Sequence, residues 1–374
     1  MNAFHELPTP SLILDLDKVR ANISLASERA RAAGFRLRPH VKTHKCLEIG
    51  RMQVEGQFGG ITVSTLAEGF AFAEGGFGDI LYAVPIEPGK FARAAELARR
   101  CARLAVITDT PEIPELLNAT AEQQGVTFEV FIEVDTGDGR SGVAWESRAV
   151  TEIARKILKG RRLRFGGLLT HAGHTYGART DADRLAISRA ERDRMTALAL
   201  RLTAEGIEVP MVSVGSTPAL VAIDELPPNF EVRAGNYIFF DAFQAQCGTC
   251  PTAACALTVL AAVVHRDFDG GKVIVDAGAI ALSKDIGAAD FFETTGYGMV
   301  LDLNGNPLGL HVAGVSQEHG KIFVKDRDRL GRLPVGTRVR VLANHSCLTA
   351  AQHDRYYVME NGAIVDEWAI HRGW

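Results

Sequence analysis

The sequence predicts an α/β protein: a (β/α)8 TIM barrel followed by a smaller, mainly antiparallel β domain. From residue 35 onward, short β-branched runs alternate with longer stretches of helical periodicity. Eight such runs fall before residue 250, the number that closes a barrel. Beyond that point helical periodicity fades and β-rich runs take over. A barrel takes about 250 residues, so a chain of 374 leaves roughly 120 for the second unit. The expected division is 12–250 for the barrel and 251–374 for the β domain, with residues 1–11 joining the latter.

The barrel strands are expected at Phe35–Val41, Gly60–Ser64, Asp79–Val84, Arg103–Asp109, Thr127–Asp135, Arg164–His171, Met211–Gly215 and Phe230–Asp241. Most read as near-continuous apolar runs, as parallel strands buried on both faces do. Between them lie amphipathic stretches such as PGKFARAAELARRCARL and DRLAISRAERDRMTALALRLTAEG. A doubly wound open sheet is the rival architecture. In the second unit the runs ALTVLAAVVHR, GKVIVDAG, TRVRVLA and RYYVMENGAIVDEW are separated by turn signals at Asp269-Gly270-Gly271, Asn304-Gly305-Asn306 and Glu360-Asn361-Gly362. The early run SLILDL is expected to pair with this unit.

Composition narrows the function. Hydrophobic residues make up 47% and charged residues 23%, the mix of a soluble globular chain. A net charge of −4 provides no basic face for a nucleic-acid backbone. No apolar run reaches the about 18 residues of a membrane span, and the first residues lack a signal peptide's cationic and apolar regions. Six irregularly spaced cysteines do not form a disulfide framework, which makes a reducing cytoplasm the default location. Cys247 and Cys250 form a C-x-x-C pair without a second ligand pair or a thioredoxin-like setting, so they read as structural.

Chemistry in a barrel belongs at the C-terminal ends of its strands. Lys42, at the first strand's end, can be desolvated there and so offer a free amine for a Schiff base; a solvated loop lysine is the alternative. After the fifth strand, Asp135-Thr136-Gly137-Asp138-Gly139-Arg140 combines a tight turn with a fixed cation in Arg140. His171 ends the sixth strand, and either a site role or a hydrogen-bonded core role suits it. The seventh ends in Gly215-Ser216-Thr217-Pro218, a candidate anion cradle. The eighth carries Arg233-Ala234-Gly235-Asn236-Tyr237. A lysine facing a phosphate cup is what pyridoxal phosphate requires. In the β domain, His345 and Cys347 would share one face of a strand and could point together at one metal ion, with imidazole and thiolate both suiting zinc. Two protein ligands leave open positions, as a catalytic Lewis acid needs.

The segments RPHVKTHK, ITVSTLAEG, GFGDILYAV, DTGDGRSGV, THAGHTYG, VGSTP, AGNYIFFD, VDAG, QEHG and NHSCLTAAQHDRYYV, with a closing RGW, run in order across nearly the whole chain. Together they resemble the D-serine dehydratase group within the fold-type III pyridoxal phosphate enzymes, to which alanine racemases and D-threonine aldolases are more distantly related. The resemblance implies that Lys42 bonds the cofactor and that Arg140 faces its phenolic oxygen. It places Tyr176, Thr217, Gly235 and Asn236 in the cofactor pocket, which also takes in His171, Ser216 and Tyr237. Arg233 stands where alanine racemases place an arginine against the pyridine nitrogen, a role related dehydratases need not keep. His345 and Cys347 match divalent-metal ligands, with zinc favoured and manganese or magnesium as alternatives. D-threonine aldolases carry an aspartate at the second of these positions, so the cysteine favours dehydration.

The implied activity is that of a lyase: loss of water from a D-3-hydroxy amino acid, D-serine giving pyruvate and ammonia. Lys42 would be the base, and the metal would help the hydroxyl leave. D-threo-3-hydroxyaspartate, giving oxaloacetate and ammonia, is the alternative substrate. Aldolase-type cleavage, racemisation and non-catalytic carriage of the cofactor are the alternative activities. The resemblance also implies a homodimer.

Overall fold

The first strand, β1 (Ser11–Asp15), lies in the β-rich unit, where it pairs antiparallel with β11 (Leu257–Asp267) and parallel with β17 (Arg355–Glu360). A computed structural model describes residues 3–287 and 296–374. The chain divides into Met1–Ser24 with Asn236–Ile370, and Leu25–Gly235 with His371–Trp374. Set beside the expected boundaries at 12 and 250, the barrel unit is shorter at both ends. At the N-terminus the cause is that β1's hydrogen bonds go to the other sheet.

The barrel unit contains β2 (Arg36–Leu37), β3 (Ile61–Val63), β4 (Asp79–Pro85), β5 (Arg103–Thr108), β6 (Phe128–Asp135), the short β7 (Val143–Ala144), β8 (Leu163–Thr170), β9 (Val212–Val214) and β10 (Phe230–Val232). Its order is β2-β10-β9-β8-β6-β5-β4-β3, with β7 attached to β6. A parallel bridge between His40 and Thr62 closes the ring, so the eight-stranded barrel is formed. Most strands lie within a residue or so of the expected bounds, and two are much shorter than expected. Phe35–Val41 keeps two ladder residues plus that bridge, and Phe230–Asp241 stops at Val232. Beyond Val232 the backbone tightens into a 3-10 turn at Asn236–Ile238, and Phe240 takes φ 47°, which no strand residue adopts.

Helices start and stop where local chemistry directs. The long helix Asp181–Ala204 opens on a capping box of Thr180 and Asp183. Helix Leu66–Glu74 is capped by Thr65, and Ile113–Gln124 ends on Gly125 at φ 68°. Leu81, Ala105, Ile107, Phe131 and Leu169 form one buried cluster drawn from four strands and no helix, which places it in the barrel's lumen. Two residues earlier on the same faces stand Asp79, Arg103 and Glu129. They join a charged layer: Arg38 meets Glu231 at 2.9 Å and Asp79 at 2.8 Å, and Arg103 bridges Asp79 at 2.8 Å to Glu129 at 2.5 Å. The lumen is therefore not uniformly apolar, as the sequence runs imply.

In the β-rich unit, β11 is followed by β12 (Lys272–Val275), β13 (Gly298–Leu301), β14 (Pro307–Val315), β15 (Gly320–Phe323), β16 (Arg338–Ala343), β17 and β18 (Ala363–Ala369). The order is β12-β15-β14-β13-β16-β11-β1-β17-β18. Because β12 also pairs with β11, six of these strands close on themselves. The β17–β18 hairpin turns at Asn361 and Gly362, both at positive φ, as the Asn-Gly signal requires.

Candidate active site

Lys42 sits in a single 3-10 turn, Val41–Thr43, directly after the residue that closes the barrel. That turn is held from several sides. His40 N–H donates to the Ala234 carbonyl at 2.9 Å, and the His44 ring meets Gln53 Oε1 at 2.8 Å. Lys45 Nζ donates to the Lys42 carbonyl and lies 3.3 Å from the buried Glu68 carboxylate. The His371 N–H donates to the Lys45 carbonyl at 2.7 Å. Lys42 itself is half-buried on this braced turn.

Two imidazoles near it are held neutral. His171 Nδ1 lies 3.1 Å from the Gly215 carbonyl. Burial first, then the charges of Lys42, Arg140 and Arg233, push its pKa down to about 3. His40 is driven well below its ordinary value by burial and by Lys42 and Arg233. Arg233 is buried, donating to Ser213 Oγ at 2.7 Å and to the Thr170 carbonyl at 2.6 Å. Burial lowers its pKa to about 10, with Glu231, Glu191 and Glu133 opposing the shift. Arg140 is more than half exposed and 3.6 Å from Glu133.

The remaining barrel candidates divide by what occupies them. Ser216 caps the short helix Thr217–Ala222, accepting from Ala219 N–H, and lies 2.7 Å from Thr175 Oγ1, so its hydroxyl serves the loop. Thr217 is buried at the first position of that helix, and Tyr176 is half-buried in the 3-10 turn Gly173–Gly177. Gly235 is packed closely: an added Cβ would stand 2.7 Å from Thr43 Oγ1 and 3.0 Å from the His40 carbonyl. Sequence reasoning missed Glu191, which lies on the buried face of helix Asp181–Ala204 and accepts from Gly215 N–H at 3.2 Å. Burial raises its pKa to about 7. A glutamate inside a helical pattern carries no outward signal of this.

In the β-rich unit, His345 and Cys347 do come together, their side chains hydrogen-bonded to each other. The reason differs from the one expected. They do not alternate along a strand: His345 is the extended N-cap of the short helix Ser346–Ala350, and Cys347 lies in its first turn. Asp285 Oδ2 is 2.7 Å from His345 Nδ1. The buried Asp241 carboxylate accepts from Ser346 N–H at 2.9 Å and from Asn236 Nδ2 at 2.6 Å. Asn236 Nδ2 also approaches Cys347 Sγ at 3.7 Å. Tyr237 is buried in the turn that follows. Both aspartates lie far from His345 in sequence, and neither was legible there. Cys250, the second cysteine of the C-x-x-C pair, has its side chain hydrogen-bonded to Cys255.

Comparison with known proteins identifies the family. The model described as "Alanine racemase, N-terminal domain" matches residues 14–242, and that described as "Putative serine dehydratase domain" matches 256–359. The chain is 40% identical to the D-threo-3-hydroxyaspartate dehydratase of Delftia sp. (strain HT23), covering 98% of each chain. It belongs to the D-serine dehydratase-like family of fold-type III pyridoxal phosphate enzymes. Within this family it is also 33% identical to the D-serine dehydratase of Dictyostelium discoideum, over 99% of this chain and 98% of that one. The solved structure of the Delftia enzyme aligns with a TM-score of 0.96 at 39% identity, covering all of both chains. Among solved structures of that dehydratase are a His-to-Ala variant and a Cys-to-Ala variant in the metal-free form, their substituted positions two residues apart, as His345 and Cys347 are.

The family's cofactor fits the residues of the barrel unit. Lys42 offers the amine, and the cations Lys42, Arg140 and Arg233 act on one neutral imidazole in a setting suited to an anionic ligand. A divalent ion fits the β-rich unit's pair, where imidazole and thiol meet and the buried Asn236 Oδ1 has no partner among the described residues. Among the described residues no group of three or more His, Cys, Asp or Glu converges.

Proposed function

We propose that this family member is a pyridoxal phosphate- and divalent-metal-dependent dehydratase of D-3-hydroxy amino acids, converting D-serine to pyruvate and ammonia. The observation carrying this reading is the contact of His345 with Cys347 in a chain whose barrel also presents a braced Lys42. Bound pyridoxal phosphate supplies an electron sink that acidifies the amino acid's Cα–H, and the metal supplies a Lewis acid for the departing hydroxyl.

Each residue then has a task. Lys42 would bond the cofactor and, once freed by the substrate's amine, take the α-proton as general base. Arg140 would face the phenolic oxygen, with Thr217 and Gly235 at the phosphate and His171, Tyr176, Ser216, Asn236 and Tyr237 completing the pocket. His171 and His40, held neutral, would not compete with Lys42 as cations. His345 and Cys347 would hold the metal. Zinc as that metal, a cytoplasmic location and a homodimeric assembly belong to the same proposal. D-threo-3-hydroxyaspartate is the second reading for the substrate, favoured by the 40% identity to a dehydratase of that name.

Paired variants test the assignment. Lys42→Ala should lose the visible absorption of a lysine-bound cofactor along with all activity. Cys347→Ala should keep the band and lose 2-oxo acid release. A Cys347→Ala enzyme that eliminates water at the wild-type rate would remove the metal from the reaction.

A further inference from the structure

We propose that two carboxylates outside the ligand pair act as separate positioning residues for it: Asp285 aims His345, and Asp241 holds Cys347 through Asn236 and Ser346. The inference rests on the reading of His345 and Cys347 as metal ligands.

Asp285 engages Nδ1 of His345 at 2.7 Å, which leaves Nε2 as the ligating nitrogen and fixes the ring's tautomer and orientation. Asp285 is itself restrained. Its Oδ1 accepts from Gly287 N–H at 2.6 Å, its N–H donates to Ser283 Oγ at 3.2 Å, and its carbonyl accepts from Asn344 Nδ2 at 3.1 Å. Asn344 precedes His345 directly, so the carboxylate and the ring are tied through backbone as well as side chain. Thr349 Oγ1 adds a third tie, donating to the Leu282 carbonyl at 3.0 Å.

Asp241 acts on the other ligand. It is 1% exposed, and four donors surround it: Gln244 N–H at 2.9 Å, Ser346 N–H at 2.9 Å, Ser346 Oγ at 3.2 Å and Asn236 Nδ2 at 2.6 Å. A carboxylate accepts only, so Asn236 must turn its NH2 toward Asp241. The same NH2 reaches Cys347 Sγ at 3.7 Å. Asp241 thus decides which end of the Asn236 amide faces the sulfur, and it anchors Ser346, the residue between the two ligands. An N–H donated to sulfur favours the thiolate, the form that binds metal. Asn236 Oδ1 is buried and without a partner among the described residues.

The test measures metal affinity rather than turnover. Zinc binding by wild type, Asp285→Asn, Asp241→Asn and Asn236→Ala is titrated against a chromophoric chelator, and the cobalt-substituted proteins are compared by absorption. Partners of this kind typically contribute about 10–100-fold to metal affinity. Asp285→Asn should weaken zinc binding within that range while keeping the sulfur-to-cobalt charge-transfer band. Asn236→Ala should shift that band, and Asp241→Asn should both weaken binding and shift it. Far-ultraviolet circular dichroism reports that each variant is folded. If Asp241→Asn does not fold, Asn236→Ala tests the same link. Failure of the wild type to bind zinc would overturn the ligand assignment on which the inference rests. Wild-type affinity and an unshifted cobalt spectrum in all variants, with the wild type binding zinc, would overturn the two braces alone.

Discussion

Glu191 Oε1 accepts the Gly215 N–H at 3.2 Å, tying the long helix Asp181–Ala204 to the loop that also receives His171. Burial raises the carboxyl's pKa from 4.5 to about 7. A raised carboxyl pKa stabilises the fold fully below the unfolded value and loses that contribution as pH rises through the folded one. The shift corresponds to about 3 kcal/mol. The urea midpoint should therefore fall between pH 5 and about 7.5, and Glu191→Gln should flatten that fall. An unchanged pH slope in the variant would assign the titration to another group.

The Arg38–Glu231 pair lies in the barrel's lumen, both side chains under 3% exposed. Among the described residues, Arg38→Met leaves the Glu231 carboxylate with Ser213 Oγ at 2.6 Å as its remaining hydrogen-bond donor. Breaking a buried pair from one side costs about 3–5 kcal/mol. Equilibrium urea unfolding should show a loss of that size. A loss below about 1 kcal/mol would mean that the pair behaves as a surface bridge.

Gly235 has no room for a side chain, because Thr43 Oγ1 and the His40 carbonyl occupy the space. Gly235→Ala must push the His40–Thr43 segment that carries Lys42. The expected result is at least about a tenfold rise in the cofactor's dissociation constant, since a factor of ten needs only about 1.4 kcal/mol. Fluorescence titration of apoenzyme measures it. Unchanged affinity would show that the Lys42 turn yields without consequence.

Much of this was legible in the sequence where periodicity or a turn signal carries the information. The barrel's strands, the Asn361-Gly362 hairpin and the pairing of SLILDL with the β-rich unit follow from local patterns. What depends on distant partners was not. In the charged layer, Asp79, Arg103 and Glu129 sit at or next to strand starts, where single charges look like strand boundaries, and nothing local pairs Arg38 with the distant Glu231. Asp285 stands 60 residues from His345, with nothing local marking it as a partner. The convergence of His345 and Cys347 was expected from strand alternation and arises instead from a helix cap, a difference that i, i+2 spacing alone does not reveal.

The most direct test of the central claim is a 2-oxo acid release assay on D- and L-serine, D-threo-3-hydroxyaspartate and D-threonine, before and after EDTA and again after zinc is restored. The account predicts release from the D-3-hydroxy amino acids only, abolished by the chelator and recovered with the metal. Release that survives complete metal removal, or equal turnover of L-serine, would contradict it.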